Sequence, residues 1–356
     1  MVGREFDVTL RRGERTRYLP EMKARSLDII ATIEAIYREE RSERAWLDGI
    51  LVAARPALDH GLGLTAYPFD VEGQDVRVPW ARVLGTPVGV GPSLMKSVMA
   101  TSRDSPQVSR VYVSAPTCAT ASELGLAETP GFGLFRAKGI LDASGITGFD
   151  TAGRGVFFGG FLPQVTRLDP AFRERFERVG AHLGVGLRYR RFAKVAGHAP
   201  EAVFSPSAKL LHAEGDATVP EARAALTRAV VAIDRARGRQ RRTDPDGALA
   251  AWKGLIDARW SLVDEFESDG KRYVVARENE PYAAQVAALS KRERQVVGYV
   301  VLGHATKLIA YELGIADSTV RVLLRRAMHR LHVTTRDALV ARFMAACAPP
   351  DLERKS

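Results

Sequence analysis

Arginine crowds one short stretch of this chain. Arg321, Arg325 and Arg326 fall close together, with Val322 among them. On a helix, Arg321 and Arg325 are i,i+4 neighbours and share a face. A guanidinium so placed can donate two parallel hydrogen bonds to guanine O6 and N7, and a valine can touch a thymine methyl. The chemistry on offer is the reading of base edges in duplex DNA rather than bond making.

Such side chains need a helix held firmly against a support, and the flanking sequence supplies one. Ser290 can cap a helix whose Val296, Val297, Val300 and Val301 recur at helical spacing. Gly303 ends it, taking a left-handed conformation at little cost. A second helix is predicted over 306–313, stopping at Gly314. Asp317 or Ser318 then caps a third helix running to about His329. Val320, Leu324, Ala327, Met328 and Leu331 recur on its buried side, which leaves Arg321, Val322, Arg325 and Arg326 outward. Two helices joined by a short glycine-containing turn, the second rich in arginine, are the pattern of a helix-turn-helix. Charge agrees. Residues 286–345 carry ten basic and four acidic residues, a net +6 within a chain of net +10. A basic face gains affinity for phosphates by releasing counterions.

Residues 289–336 resemble the LuxR/GerE-type helix-turn-helix of bacterial transcription regulators. Leu289, Arg292, Glu293, Gly303, Lys307, Ile309, Ala310, Leu313, Thr319, Val320, Leu331, Val333 and Arg336 stand at matching places. Ala305, Leu323 and His332 depart from the pattern where Ser, His and Gly are common. These departures bear on one phosphate hydrogen bond, on base preference and on the tightness of the last turn. The resemblance implies that Lys307, with Ser318 and Thr319 at the start of the third helix, contacts DNA, Lys307 and Thr319 through phosphates. A single short reading helix calls for a homodimer, with contacts either in the region before Glu278 or, as the resemblance implies, through Leu339, Val340 and Phe343 on the last helix.

Enzyme signatures are missing. The glycines at Gly85, Gly89 and Gly91 are not followed by a P-loop lysine, Gly131 and Gly133 lack the third glycine of a dinucleotide fingerprint, and no Gly-x-Ser-x-Gly elbow occurs. Asp142, Asp150, Asp169 and Glu174 are scattered acids better suited to caps and surface charge than to a catalytic pair. His329 and His332 are three apart, but the resemblance puts both near the closing turn of the DNA-reading unit. No catalytic residue, metal or cofactor is expected. Cys118 and Cys347 are far apart and read as two inert thiols in a reducing compartment.

The rest of the chain reads as a multi-domain protein, α+β first and all-α last. Residues 1–21 hold a basic flexible arm. Residues 22–195 open with a helical pattern from Ser26 to about Ala57, broken at Pro56. Strands follow at 64–71, 76–78 and 110–114, with a helix at 92–102 between them. Two glycine-studded apolar runs flank a turn within 138–162, a hairpin signal, and an amphipathic helix spans 169–192. This order suggests an antiparallel sheet flanked by helices and resembles a GAF-type sensor; PAS-like or other α+β folds stay open. Trp46, Tyr67, Asp70 and Trp80 are of the type that lines a signal pocket or packs a core. Residues 196–278 read as a small, possibly PAS-like, α+β segment. It has strands at 202–204 and 208–212, a helix at 220–237 and a charged loop at 238–247. A helix at 247–258 and a hairpin at 260–276 complete it. A linker (279–285), a four-helix DNA-binding unit (286–346) and a tail (347–356) follow. No apolar h-region opens the chain and no apolar run approaches about 18 residues, so a soluble cytoplasmic protein without a membrane span is expected.

The reading is a one-component LuxR/GerE-type transcription regulator. Its partners are double-stranded DNA, a second copy of itself, RNA polymerase and a small-molecule ligand not named by the sequence. The alternative is a sensor-scaffold whose helix-turn-helix makes protein contacts.

Overall fold

The computed structural model describes residues 28–72, 75–86, 89–102, 108, 118–149, 154–196, 200–257, 259–266, 270–278, 289–301 and 303–340. The arm at 1–21, the linker and the tail lie outside these residues. The single helical stretch expected from Ser26 is two helices, α1 (Ile29–Tyr37) and α2 (Glu43–Leu58). Between them the charged run 38–44 offers no apolar side to bury. Asp28 and Ser42 accept from the N–H groups of Ala31 and Ala45 and start the two helices. Pro56 does not end α2; the helix runs on to Leu58 and closes with the Asp59 N–H on the Arg55 carbonyl at 3.0 Å. The Trp46 indole donates to the Ile36 carbonyl at 3.0 Å and fixes the corner.

The first sheet holds β1 (Leu64–Glu72), β2 (Asp75–Arg77), β3 (Arg82–Leu84), β4 (Cys118–Thr120), β5 (Asp142–Phe149) and β6 (Arg154–Leu162). Its order is β2-β1-β6-β5-β4, with β3 also paired to β1. All its pairings are antiparallel, and β5 and β6 are the expected glycine-studded hairpin partners. The strand expected at 110–114 lies outside the described residues. Both faces are covered. Leu64, Ala66, Ile146, Val156 and Phe158 face the core shared with α1, α2 and α5 (Pro170–Ala196). Tyr67, Phe69 and Phe161 face α3 (Pro92–Ser102) and α4 (Pro130–Arg136). The period-two alternation along β1 and β6 thus fills two cores rather than one. Gly148 lets α5 lie on the sheet, since a Cβ there would sit 2.5 Å from the Gly184 nitrogen.

The second sheet runs β8 (Leu210–Ala213), β7 (Ala202–Phe204), β11 (Arg272–Glu278), β10 (Trp260–Phe266) and β9 (Leu255–Ile256), again antiparallel. Helices α6 (Pro220–Arg235) and α7 (Pro245–Ala251) contribute Leu226, Val230, Ile233 and Leu249 to its core. The charged loop expected at 238–247 is largely helical, through a kinked stretch at 236–243 followed by α7. The helix expected over 247–258 ends at Ala251, because β9 takes up the chain. Arg237, almost fully buried, pairs with Glu34 of α1 at 3.2 Å and with Asp264 of β10, tying the two sheet units together.

Three helices close the described chain: α8 (Lys291–Val301), α9 (Thr306–Leu313) and α10 (Asp317–Arg330), with residues 336–340 helical again. Their buried side chains belong to the same continuous core as α1, α5 and the second sheet.

Candidate nucleic-acid interface

Ser290 and Glu293 start α8 reciprocally. The Ser290 hydroxyl accepts from the Glu293 N–H at 3.3 Å, and the Glu293 carboxylate accepts from the Ser290 N–H at 2.8 Å. Burial opposes the Glu293 charge, but those Ser290 contacts and nearby Arg330 more than offset it and hold its carboxyl below the usual range. Arg330, at the end of α10, is ion-paired with Glu293, so the first and last of the three helices are clasped. Gly314 is left-handed at φ 63° and turns α9 into α10.

The start of α10 differs from expectation. Ala316 is the N-cap and no side chain caps it, while Asp317 and Ser318 lie in the first turn. Acidic Asp317 still suits the helix N-terminus. Val320 and Ala327 are fully buried, Leu331 is nearly so, and Leu323, Leu324 and Met328 pack partly against them. That anchoring exposes Ser318, Thr319, Arg321, Val322, Arg325 and Arg326. Val322 is 44% exposed, an apolar side chain standing among arginines. After α10, His332 takes φ 53°, the left-handed conformation that a glycine would adopt without cost. The Val333 N–H then bonds the Met328 carbonyl at 3.0 Å.

Lys307 opens α9 with its side chain 78% exposed, 3.8 Å from the Glu177 carboxylate of α5. Further along α9 the helix is docked on the body of the protein. Tyr311 donates to the Leu249 carbonyl and meets His182 edge-on at 5.9 Å, with Arg178 and Lys253 over its ring. The Lys253 ammonium donates to the carbonyls of Tyr311 and Glu312 at 3.0 and 3.1 Å, satisfying the end of α9. Gln295 of α8 donates to Asp257 at 2.8 Å. His182 is buried, and burial and then Lys253 lower it to about 3, so it is neutral; its Nδ1 faces the Tyr37 hydroxyl at 2.9 Å. Glu312 is buried with no hydrogen-bond partner on either carboxyl oxygen, and burial pushes it up to about 7 against the pull of Lys253. Sequence reasoning missed this junction. Its members come from α5, α7, the chain beyond α7 and α9, far apart in sequence, and none carries a local signal.

The remaining candidates have structural roles or lie outside the description. Leu339 is fully buried inside the helical core and Val340 half-buried; Phe343 lies outside the described residues. Asp142 is buried and accepts from the backbone of Ser122 and Thr166 and from the Ser122 hydroxyl. Asp169 accepts from the first N–H groups of α5, and Glu174 pairs with Arg178. Asp150 is outside the described residues. Among the described residues no group of three or more His, Cys, Asp or Glu could hold a metal ion. No helix among them is long and apolar enough to cross a membrane.

An exposed arginine helix on a buried apolar seam, preceded by a tight glycine turn and a second helix, defines a helix-turn-helix class. Residues 287–343 match the family described as bacterial regulatory proteins, luxR family. A 68-residue stretch is 41% identical to the transcriptional regulatory protein FixJ of Azorhizobium caulinodans; it covers 19% of this chain and 32% of that relative. The likeness thus spans about a third of the relative's length. The C-terminal segment carries a luxR-type helix-turn-helix, and the likeness supports a DNA-binding transcription regulator.

Proposed function

We propose that this protein is a one-component, sequence-specific transcription regulator of the LuxR/GerE type. The observation that carries the reading is α10. Its inner face is anchored by Val320 and Ala327, and its outer face offers Arg321, Val322, Arg325 and Arg326 to solvent. Inserted into a major groove, that face meets base edges, while Lys307, Ser318 and Thr319 reach the flanking backbone. The protein acts without enzymatic activity, in the cytoplasm, as a homodimer on paired half-sites, with RNA polymerase as downstream partner. Val340 is the dimer contact still partly accessible. Residues 22–195 form a GAF-like sensor, supported by the antiparallel sheet with helices on both faces, and residues 196–278 form a second α+β unit. The test is a gel shift of the full chain against genomic fragments, followed by footprinting. Retention of no fragment at low salt would overturn the reading and favour a scaffold that uses the same helices for protein contacts.

A further inference from the structure

The first sheet is not solidly packed on its second face. Between β1, β4, β5 and β6 on one side and α3 and α4 on the other lies a cavity of about 120 Å³. Tyr67 and Phe157 stack against each other at 4.7 Å along its wall, and Phe132, Met95, Met99 and Thr147 also line it. Among the described residues none of the lining side chains is charged. Protein interiors are close-packed, so an apolar pocket of this size, only partly open to solvent, is space that a guest can fill. An enclosed apolar cavity of about 150 Å³ takes up benzene; this pocket is slightly smaller inside but partly open, so the neutral polar end of a somewhat longer guest can reach its mouth.

The lining also sets the chemistry of what fits. Phe157 lies flat over Gly145, where a Cβ would fall 2.3 Å from the ring, so the wall is smooth and aromatic. Two methionines give it shape tolerance. The Thr65 and Thr129 hydroxyls already donate to the carbonyls of Arg82 and Leu126. The Thr147 hydroxyl has no hydrogen-bond partner among the described residues and is free to serve a guest. A carboxylate or ammonium would lose its hydration here with no counter-charge in return.

We propose that this cavity binds a small neutral aromatic or alkyl molecule of roughly six to nine non-hydrogen atoms, carrying one hydrogen-bonding group that meets Thr147. The inference gives a ligand class to the sensing half of the proposed function and rests on that half, not on DNA reading.

The test uses the full chain labelled with ¹³C at the methionine methyls, six in all, with p-cresol, toluene and benzoate as probes. p-Cresol is expected to shift the Met95 and Met99 signals and leave the other methionines in place. Toluene does so more weakly, and benzoate leaves all unmoved. Ala143→Phe, which fills the cavity from β5, abolishes the shifts; if it does not fold, Ala143→Leu takes its place and weakens p-cresol at least tenfold. Thr147→Val brings p-cresol to the affinity of toluene. Unshifted Met95 and Met99 at saturating p-cresol, benzoate binding as well as p-cresol, or binding unchanged in a folded Ala143 variant would overturn the site. Equal p-cresol affinity in Thr147→Val would overturn the polar contact. A gel shift on the same samples reads DNA binding separately: methyl shifts without DNA retention sink the DNA reading and support the cavity.

Discussion

Glu312 offers the sharpest test of how the helix-turn-helix is held on the rest of the protein. Its carboxyl is buried at the junction without a hydrogen-bond partner, and burial raises it from 4.5 to about 7 despite Lys253. A raised carboxyl favours the folded state while it keeps its proton. Below pH 4.5 the group is neutral in both folded and unfolded chains and costs nothing. Between 4.5 and 7 the unfolded chain loses the proton and the folded chain retains it, so stability falls as pH rises, and the loss is complete once pH exceeds about 7. At about 1.4 kcal/mol for each tenfold change in proton affinity, that interval corresponds to a loss of about 3 kcal/mol. Glu312→Gln keeps the shape and removes the charge. Its unpaired amide costs about 1–3 kcal/mol, but equally at every pH. The measurement is urea denaturation of wild type and variant at pH 5 and pH 8, followed by tryptophan fluorescence; Trp252, next to Lys253, is buried and reports on the junction. Because part of the loss has already occurred at pH 5, the variant should gain about 2.5 kcal/mol relative to wild type between the two pH values. All other titrating groups contribute to both proteins and cancel. A change below about 1 kcal/mol, less than a tenfold difference in proton affinity would give, refutes a desolvated carboxyl at this position.

Arg321→Ala and Arg325→Ala should each cost about 1–3 kcal/mol at the preferred site and relax base preference in footprints, by loss of guanine contacts; unchanged footprints would remove α10 from the groove. Lys307→Ala should weaken all sequences alike and lower the slope of log K against log salt by about one, and a loss confined to one operator would mean base reading instead. His332→Gly should stabilise by about 1 kcal/mol in thermal unfolding, since it relieves a left-handed non-glycine residue at the end of α10; a destabilised variant would show that the imidazole contributes more than the strain costs. Val340→Asp should shift the protein to monomers in sedimentation and weaken operator binding, and a wild type that stays monomeric on a full operator excludes the dimer.

The helices of the helix-turn-helix are legible in the sequence because their signals are local. Ser290 and Glu293 stand three apart, Gly303 and Gly314 mark the ends, and the valines keep a helical period. Even there, Asp317 and Ser318 looked like caps by residue type, whereas the backbone places the cap at Ala316. Strands β3 and β4 escaped notice because three-residue strands have too few positions for an alternation, and their pairing depends on β1 and β5 from distant sequence. The 238–247 stretch looked like a loop by composition. It is helical because Asp244 caps α7 and because Arg237 and Arg241 reach acids on and beside α1. Charge that seemed to point to solvent is paired across the fold.

The same nonlocality decides how the apolar cavity and the helix-turn-helix can influence each other. Strand β5 shows Gly145 and Thr147 to the cavity, and Ile146 and Gly148 to the opposite face, where α5 packs directly on Gly148. Helix α5 in turn carries Glu177 beside Lys307, and Arg178 and His182 against Tyr311. A single strand and a single helix therefore separate the apolar cavity from the helix that precedes α10. The Glu177–Lys307 pair is largely exposed on its lysine side and holds little by itself. The buried contacts of Tyr311 and Lys253 fix the docking. On the proposed reading, a DNA phosphate at Lys307 would meet the Glu177 carboxylate as long as that docking persists. In the proposed reading DNA binding and docking of α9 compete for the same lysine, and linkage makes that competition reciprocal: docking weakens DNA binding by the factor by which bound DNA weakens docking.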